Sequence, residues 1–356
     1  MRSLLTIVFV YVVGCTRAYI PNDVPESSVE SGSLTALKYT NVGGSGTYNQ
    51  VTNMVQGSWP SCTANPSCIT RPKAVGGNLA PFDEEMTFVF RGSLRLHRIA
   101  VYQPRDPSSA NWERVSSWSQ GTKPENLVFM NNKGGGKSGE WDTCGGSSQS
   151  YANGDWTDAA TAPNAEMYTG ILQAGQEINI VTSVECKRVP CDGFSRGTAS
   201  HGWAGSKLLV VDFEMPNDNG GSVPAIWALN SQVTNAAQYG CNCRGMGGNG
   251  GCGELDILET LSSNTNQGIT EIYSFKGATG CGDGSFFPRP TSGVVTYIVI
   301  FDVETDSIAI QRLSGWDYSQ TTVPRSTIVS HLDLPSKIVS FALVNRRSRR
   351  RSNVPT

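Results

Sequence analysis

Three carboxylates stand in one apolar octet, Gly253-Glu254-Leu255-Asp256-Ile257-Leu258-Glu259-Thr260. Burying part of a charge is costly unless partners or function compensate, and like charges crowded on one face of a purely structural strand repel one another. Side chains alternate along a regular strand, so Glu254 and Asp256 share a face while Glu259 points the other way. A β-bulge between Asp256 and Glu259 absorbs one residue and returns Glu259 to the first face. Leu255 and one or both of Ile257 and Leu258 are then left for the core. The outer pair stands roughly 13 Å apart at the backbone, a gap that two long glutamate side chains can narrow. Double displacement at a glycosidic carbon requires carboxylates about 5 to 5.5 Å apart, one as nucleophile and one as acid and base. A third acid between them discourages full ionisation, so one member of the cluster is expected to hold a proton near neutrality.

Other chemistries find less support. His97, His201 and His331 are scattered, with no zinc spacing and no serine elbow beside them, so neither a metal site nor a Ser-His-Asp triad is expected. Gly136-Lys137-Ser138 falls short of a phosphate loop because the first glycine that motif requires is Asn131. Glu140-Trp141-Asp142 runs into Thr143 and Cys144 without a third carboxylate and reads as a turn. No cofactor is expected.

The elements that must position the acids read as strands. Glycine numbers 39 without a fixed period and charged residues are only 16%, so long amphipathic helices give way to short strands joined by turns. Runs rich in Val, Ile, Phe or Tyr lie at Met86 to Phe90, Leu94 to Tyr102, Glu177 to Thr182, Lys207 to Met215, Leu255 to Leu261, Ile269 to Phe275, Val294 to Phe301, Ser307 to Leu313 and Ile338 to Val344. An all-β sandwich of jelly-roll type follows. The pattern breaks at Gln103-Pro104-Arg105-Asp106-Pro107-Ser108-Ser109. A smaller N-terminal β domain is therefore expected at 35–104 and the catalytic β domain at 110–345.

The ends carry separate signals. Arg2, the apolar run Leu4 to Val13 and small residues through Ala18 have the layout of a secretory signal peptide over 1–18. That run is too short to span a bilayer, which takes ~20 residues. An extracellular or cell-wall protein without a transmembrane segment is expected. Nine cysteines remain after Ala18, an odd number. Cys62/Cys68 and Cys186/Cys191 are candidate loop clips, disulfides being the default outside the cell. The formal charge of −2 is distorted by seven basic residues in the first 18 and last 11 positions. Without them 21 basic stand against 30 acidic groups, a body charge near −9, which argues against nucleic acid as partner. The basic tail at 346–356 reads as solvated, and no hydrophobic tail suggests a glycolipid anchor.

Glu-x-Asp-x-x-Glu, preceded by Pro224-Ala225-Ile226-Trp227-Ala228-Leu229 and Leu209-Val210-Val211-Asp212-Phe213-Glu214-Met215-Pro216, resembles the family 16 glycoside hydrolases, in their laminarinase-like branch with the bulged motif. Tyr39-Thr40-Asn41-Val42-Gly43, Phe90-Arg91-Gly92, Trp112-Glu113-Arg114-Val115, Cys241-Asn242-Cys243 and Phe287-Pro288-Arg289-Pro290 are similar to segments of the fungal two-domain, glycine-rich cell-wall glucan endo-1,3-β-glucosidases. The resemblance implies a jelly-roll catalytic domain with an open cleft and β-1,3-glucan as substrate. It makes Glu254 the nucleophile, Asp256 its assisting partner and Glu259 the general acid/base. Trp227 would offer its flat face to a sugar ring. His201 and Trp203, beside the strand that holds Leu208, fit either core packing or contact with substrate. Tyr273 is a further substrate-binding candidate, on the strand where many family 16 enzymes place a histidine.

Three functions fit these residues: a retaining endo-β-1,3-glucanase, a β-glucan transglycosylase on the same site, and a non-catalytic wall-binding protein. The intact acid trio favours an enzyme over the last. The spacing leaves oligomeric state open.

Overall fold

The computed structural model describes residues 32–55, 67–134, 137–139, 146–218, 222–244, 251–261, 266–281, 285–335 and 337–342. The expected signal segment, the basic tail, Cys62 and the Glu140-Trp141-Asp142 turn lie outside the described residues. In chain order the strands begin β1 (Ala36–Thr40), β2 (Gly46–Val55), β3 (Ser67–Val75), β4 (Met86–Arg91), β5 (Leu94–Pro104), β6 (Asn111–Ser119) and β7 (Val128–Asn131). They continue with β8 (Ser150–Tyr151), β9 (Ile171–Leu172), β10 (Glu177–Val181), β11 (Lys207–Glu214) and β12 (Ala225–Asn230). After the short helix α1 (Ser231–Asn235) come β13 (Glu254–Thr260), β14 (Gln267–Ser274), β15 (Gly277–Gly280), β16 (Phe287–Pro288), β17 (Val295–Asp302), β18 (Ser307–Leu313) and β19 (Thr322–Pro324). Helix α2 (Arg325–Asp333) and β20 (Lys337–Ser340) close the described chain.

The fold is all-β, as the residue pattern predicts. The first large sheet runs β19-β6-β5-β11-β17-β18-β1-β20 with β9 beside β5, and the second runs β15-β14-β13-β12-β4-β10-β7-β8 with β16 beside β14. Their inner faces share one core, in which Phe88 of the second sheet meets Phe301 of the first with ring centroids 6.3 Å apart. β17 shows why its sequence is apolar throughout. Tyr297, Val299 and Phe301 enter that core, while Ile298 and Ile300 face the other way, under Trp112, Val323 and the α2 residues Ile328 and Leu332. Each such side chain taken from water contributes about 1.5–3 kcal/mol, and burial on both faces removes the usual alternation of polar residues.

The stretches 35–104 and 110–345 share both large sheets. β4 lies between β12 and β10, β5 between β6 and β11, and β1 between β18 and β20. The 103–111 segment is the tip of the β5–β6 hairpin, with Pro104 opposite Trp112. Among the described residues, the one sheet built from 35–104 alone is the pair β2–β3. It docks beside β12 and α1, where Tyr48 donates to Glu84 at 2.8 Å and accepts from Gln232 at 2.7 Å.

Candidate active site

The second sheet carries the acids on its outer face. Leu229 stands opposite Glu254, Ala228 opposite Leu255 and Trp227 opposite Asp256; the register then slips, so that Ile226 faces Leu258 and Ala225 faces Glu259. The same irregularity falls between Asp256 and Glu259 against β14. Ile257 is the extra residue of a β-bulge, and Leu255, Ile257 and Leu258 all enter the core between the sheets. Glu254, Asp256 and Glu259 thereby pair with Leu229, Trp227 and Ala225, which belong to a separate apolar cluster on the outer face. The bulge expected from the spacing is present, with both Ile257 and Leu258 turned inward. Gly253 leads the chain into β13 at φ +105°, a conformation that favours glycine, and a Cβ there would stand 3.3 Å from the Phe82 and Pro81 side chains.

Neighbouring strands complete the face. β14 sets Tyr273 opposite Glu254 and Glu271 opposite Asp256. β4 sets Arg91 opposite Ala225, and β10 sets Glu177 opposite Arg91. Glu254 is buried and receives a bidentate contact from Arg244, whose Nε donates to Oε2 and Nη2 to Oε1. Arg244 directly follows Cys243, inside the loop closed by the Cys243–Cys252 disulfide. Asn242 knits that turn, accepting from the Arg244 backbone N–H at 2.8 Å and donating to the carbonyls of Ala237 and Gln238 at 2.8 and 2.9 Å. Glu259 is the most open of the trio, its side chain 34% exposed, and accepts from Arg91 Nη2 at 2.8 Å. Arg91 is anchored by Nε donating to the Val223 carbonyl at 2.8 Å.

Charge is apportioned unevenly over this face. Burial pushes the Asp256 carboxyl well above the usual range, with Glu254 and then Glu259 adding to the rise and Arg244 opposing it. Burial also raises Glu271, against a hydrogen bond donated by Tyr273, and Glu177, against the pull of Arg91 and a hydrogen bond from Tyr239. Burial thus favours the protonated form of Asp256, whereas Glu254 and Glu259 each carry an arginine partner.

Trp227 is buried on the same face, with the Arg91 guanidinium 5.4 Å from its ring centroid. Its buried indole N–H has no partner among the described residues. Tyr273 also lies on this face and donates to Glu271. The structure places the other two candidates elsewhere. Trp203 is a core residue, 5.6 Å from the Phe88 ring centroid, and its Nε1 donates to Ser116 at 3.0 Å. His201 pairs through Nδ1 with Glu85 at 2.6 Å, and its Nε2 lies 2.9 Å from the Val189 carbonyl. Ligand atoms of Cys186, Cys191 and His201 fall within 4.8 Å of one another, but the two sulfurs form the expected Cys186–Cys191 disulfide and offer no thiolate. No helix among the described residues is long and apolar enough to cross a membrane.

Sequence reasoning left Arg244, Arg91, Glu177, Tyr239 and Glu271 unassigned. Arg91 lies within, and Arg244 directly follows, signals already singled out, since Phe90-Arg91-Gly92 and Cys241-Asn242-Cys243 belong to the segments of resemblance. What spacing cannot reveal is that both arginines converge on β13.

Two family models match the chain. One described as the C-terminal part of the cell wall protein YJL171C/Tos1 matches residues 110–330, and its N-terminal counterpart matches residues 35–104. A Schizosaccharomyces pombe protein named probable circularly permuted 1,3-beta-glucanase is 26% identical, the alignment covering 86% of this chain and 92% of that protein. Two proteins named probable circularly permuted 1,3-beta-glucanase TOS1 are also similar. The Candida albicans one is 35% identical over 59% of this chain and 48% of its own length. For the Saccharomyces cerevisiae one the figures are 34%, 57% and 46%, so the matches span about half of each TOS1 protein. No solved structure matches the chain.

Proposed function

Because the chain belongs to the Tos1/YJL171C cell wall protein family, we propose that it is a secreted, retaining endo-β-1,3-glucanase acting on cell-wall β-glucan. One observation carries the reading. The bulge in β13 gathers Glu254, Asp256 and Glu259 onto one face beside Trp227, whose indole N–H is without a partner among the described residues. The relatives' shared name, 1,3-beta-glucanase, supports the substrate class, and the Glu-x-Asp-x-x-Glu motif supports a likeness to family 16 in chemistry.

In this reading Glu254 attacks the anomeric carbon while Glu259, the open acid, passes a proton to the departing glycosidic oxygen. Asp256 holds the cluster's proton reserve and limits the negative charge beside the nucleophile. Glu259 then takes a proton from the attacking water, and the carboxylate of Glu254 is released with the original anomeric configuration restored. Trp227, buried beside the acids, supplies an apolar ring and an indole N–H without a partner among the described residues, a combination suited to a neutral polysaccharide.

The test compares wild type with Glu254→Gln on laminarin, following reducing ends and the anomer first formed. Wild type should release β-configured ends, and Glu254→Gln should lose the activity by about a thousandfold or more. Equal release by both proteins removes Glu254 from the mechanism. The occupation of both Glu254 oxygens by Arg244 also suits a wall-binding protein with a sealed site. Binding of insoluble β-1,3-glucan with no release from any soluble β-glucan would establish that second reading.

A further inference from the structure

The strongest contact to the proposed nucleophile belongs to a residue outside the acid motif. Both carboxylate oxygens of Glu254 are held by the guanidinium of Arg244, and Glu254 is only 1% exposed. The backbone of Arg244 is itself fixed by Asn242 and by the adjoining disulfide. Resting on the reading of Glu254 as nucleophile, we propose that Arg244 is a catalytic residue of the second half-reaction, stabilising the Glu254 carboxylate as it leaves the sugar.

The balance of each step shows why. In the first, the bond from C1 to the departing oxygen breaks, a bond from C1 to one Glu254 oxygen forms, and the proton of Glu259 goes to the leaving group. The nucleophile enters as an anion and becomes a neutral ester, so a guanidinium on that anion favours the starting state. In the second, a water oxygen bonds to C1, its proton goes to Glu259, and the C1–Oε bond breaks with its electron pair returning to Glu254. Negative charge now develops on Glu254 in the transition state, and a preorganised, largely shielded cation stabilises it there. The two-point geometry permits both steps. One N–H contact opens to free the attacking oxygen, while the other stays on the second oxygen through the ester. Tyr273 opposite Glu254, Glu271 beyond it and Asp256 two residues along supply no positive charge, and Arg91 is committed to Glu259. Among the described residues, Arg244 is the cation placed for this role.

Arg244 thus slows formation of the glycosyl-enzyme and hastens its breakdown. The test uses a 2,4-dinitrophenyl β-laminarioligosaccharide, whose leaving group makes the first step fast, with stopped-flow release of dinitrophenolate and intact-mass measurement of quenched enzyme. Arg244→Met should show a burst of one equivalent, a mass increase of one oligosaccharyl unit on the peptide holding Glu254, and steady turnover reduced by about tenfold or more, the scale of a lost charge-assisted contact. Arg244→Lys, with one point charge in place of a fork, should fall between. Should Arg244→Met fail to fold, Arg244→Lys carries the test by the same burst. A variant with no burst, no accumulated adduct and kcat/KM reduced as far as kcat would overturn the role for Arg244 and leave Glu254 as nucleophile. Unchanged laminarin hydrolysis by Glu254→Gln, or release of α-configured ends by wild type, would by contrast remove the reading on which it rests.

Discussion

At the scale of single residues, Asp256 sets stability against chemistry. Its carboxyl is buried among Glu254, Glu259 and Glu271 and is raised far above the ordinary carboxylate range, burial being the largest cause. The native state therefore holds a proton that the unfolded chain, with an aspartate of about 3.9, releases early. Stability falls as pH climbs from that unfolded value through the raised native one, because the fold binds more protons than the open chain in that window. Glu271 and Glu177, also raised by burial, push in the same direction. Asp256→Asn removes the largest part of this dependence. Its melting temperature should exceed that of wild type at pH 7, with the difference shrinking toward pH 4, while laminarin hydrolysis falls at both. Calorimetry over that range decides the matter; a variant less stable than wild type at pH 7 would mean that Asp256 is ionised and held by a cation. A protein kept for stability alone gains nothing from this acid, which is the residue-level reason to regard the face as functional.

At the scale of elements, the bulge of β13 governs what the face contains, and it was legible. Glu-x-Asp-x-x-Glu breaks the two-residue period of a strand, and an apolar pair at Ile257-Leu258 between acids can be satisfied only by one extra residue. The strands themselves were legible wherever β-branched and aromatic runs are continuous, as in β11 and β17, and were missed where short or polar, as in β2, β3 and β7. The arginines were not legible as partners of the acids. Arg91 reaches Glu259 through the pairing of β4 with β12, 134 residues apart at Arg91 and Ala225, and Arg244 arrives on a turn shaped by a disulfide. Proximity in sequence to β11 said little of His201 and Trp203, because His201 pairs with Glu85 and Trp203 bridges to Met86. The bulge also has a measurable dependence on its neighbour. Leu258 packs onto Gly268 of β14 so closely that a Cβ at 268 would stand 2.2 Å from Leu258 Cδ1. Gly268→Ala should cost about 1–3 kcal/mol through overpacking and lower glucanase activity, since Leu258 adjoins Glu259. Leu258→Val, which withdraws the crowded methyl, should recover part of both losses in the double variant. Urea denaturation of all four proteins gives the coupling; strictly additive penalties would show that the bulge does not rest on this contact.

At the scale of the whole molecule, the decisive property is the interleaving of the two family segments. β1, β4 and β5 come from residues 35–104, yet each lies between strands from beyond residue 110. Without β4 the second sheet separates into β15-β14-β13-β12 and β10-β7-β8, and the acid face loses Arg91 along with the strand that backs Trp227. Without β5 the first sheet parts between β6 and β11 in the same way. Each break exposes two apolar edges with unpaired backbone groups, the state that leads to aggregation. Residues 35–104 and 105–345 made separately should therefore each lack a cooperative thermal transition. The full chain should unfold in one transition, with tryptophan fluorescence and far-ultraviolet circular dichroism coinciding. Mixing the two pieces during refolding should restore that transition and laminarin hydrolysis together, because the strands that complete the sheets also complete the site. Independent melting of residues 105–345 at the full-length temperature would show instead that the sheets close without their central strands. The active face would then have to be assembled by that segment alone, with Arg91 playing no part in holding Glu259.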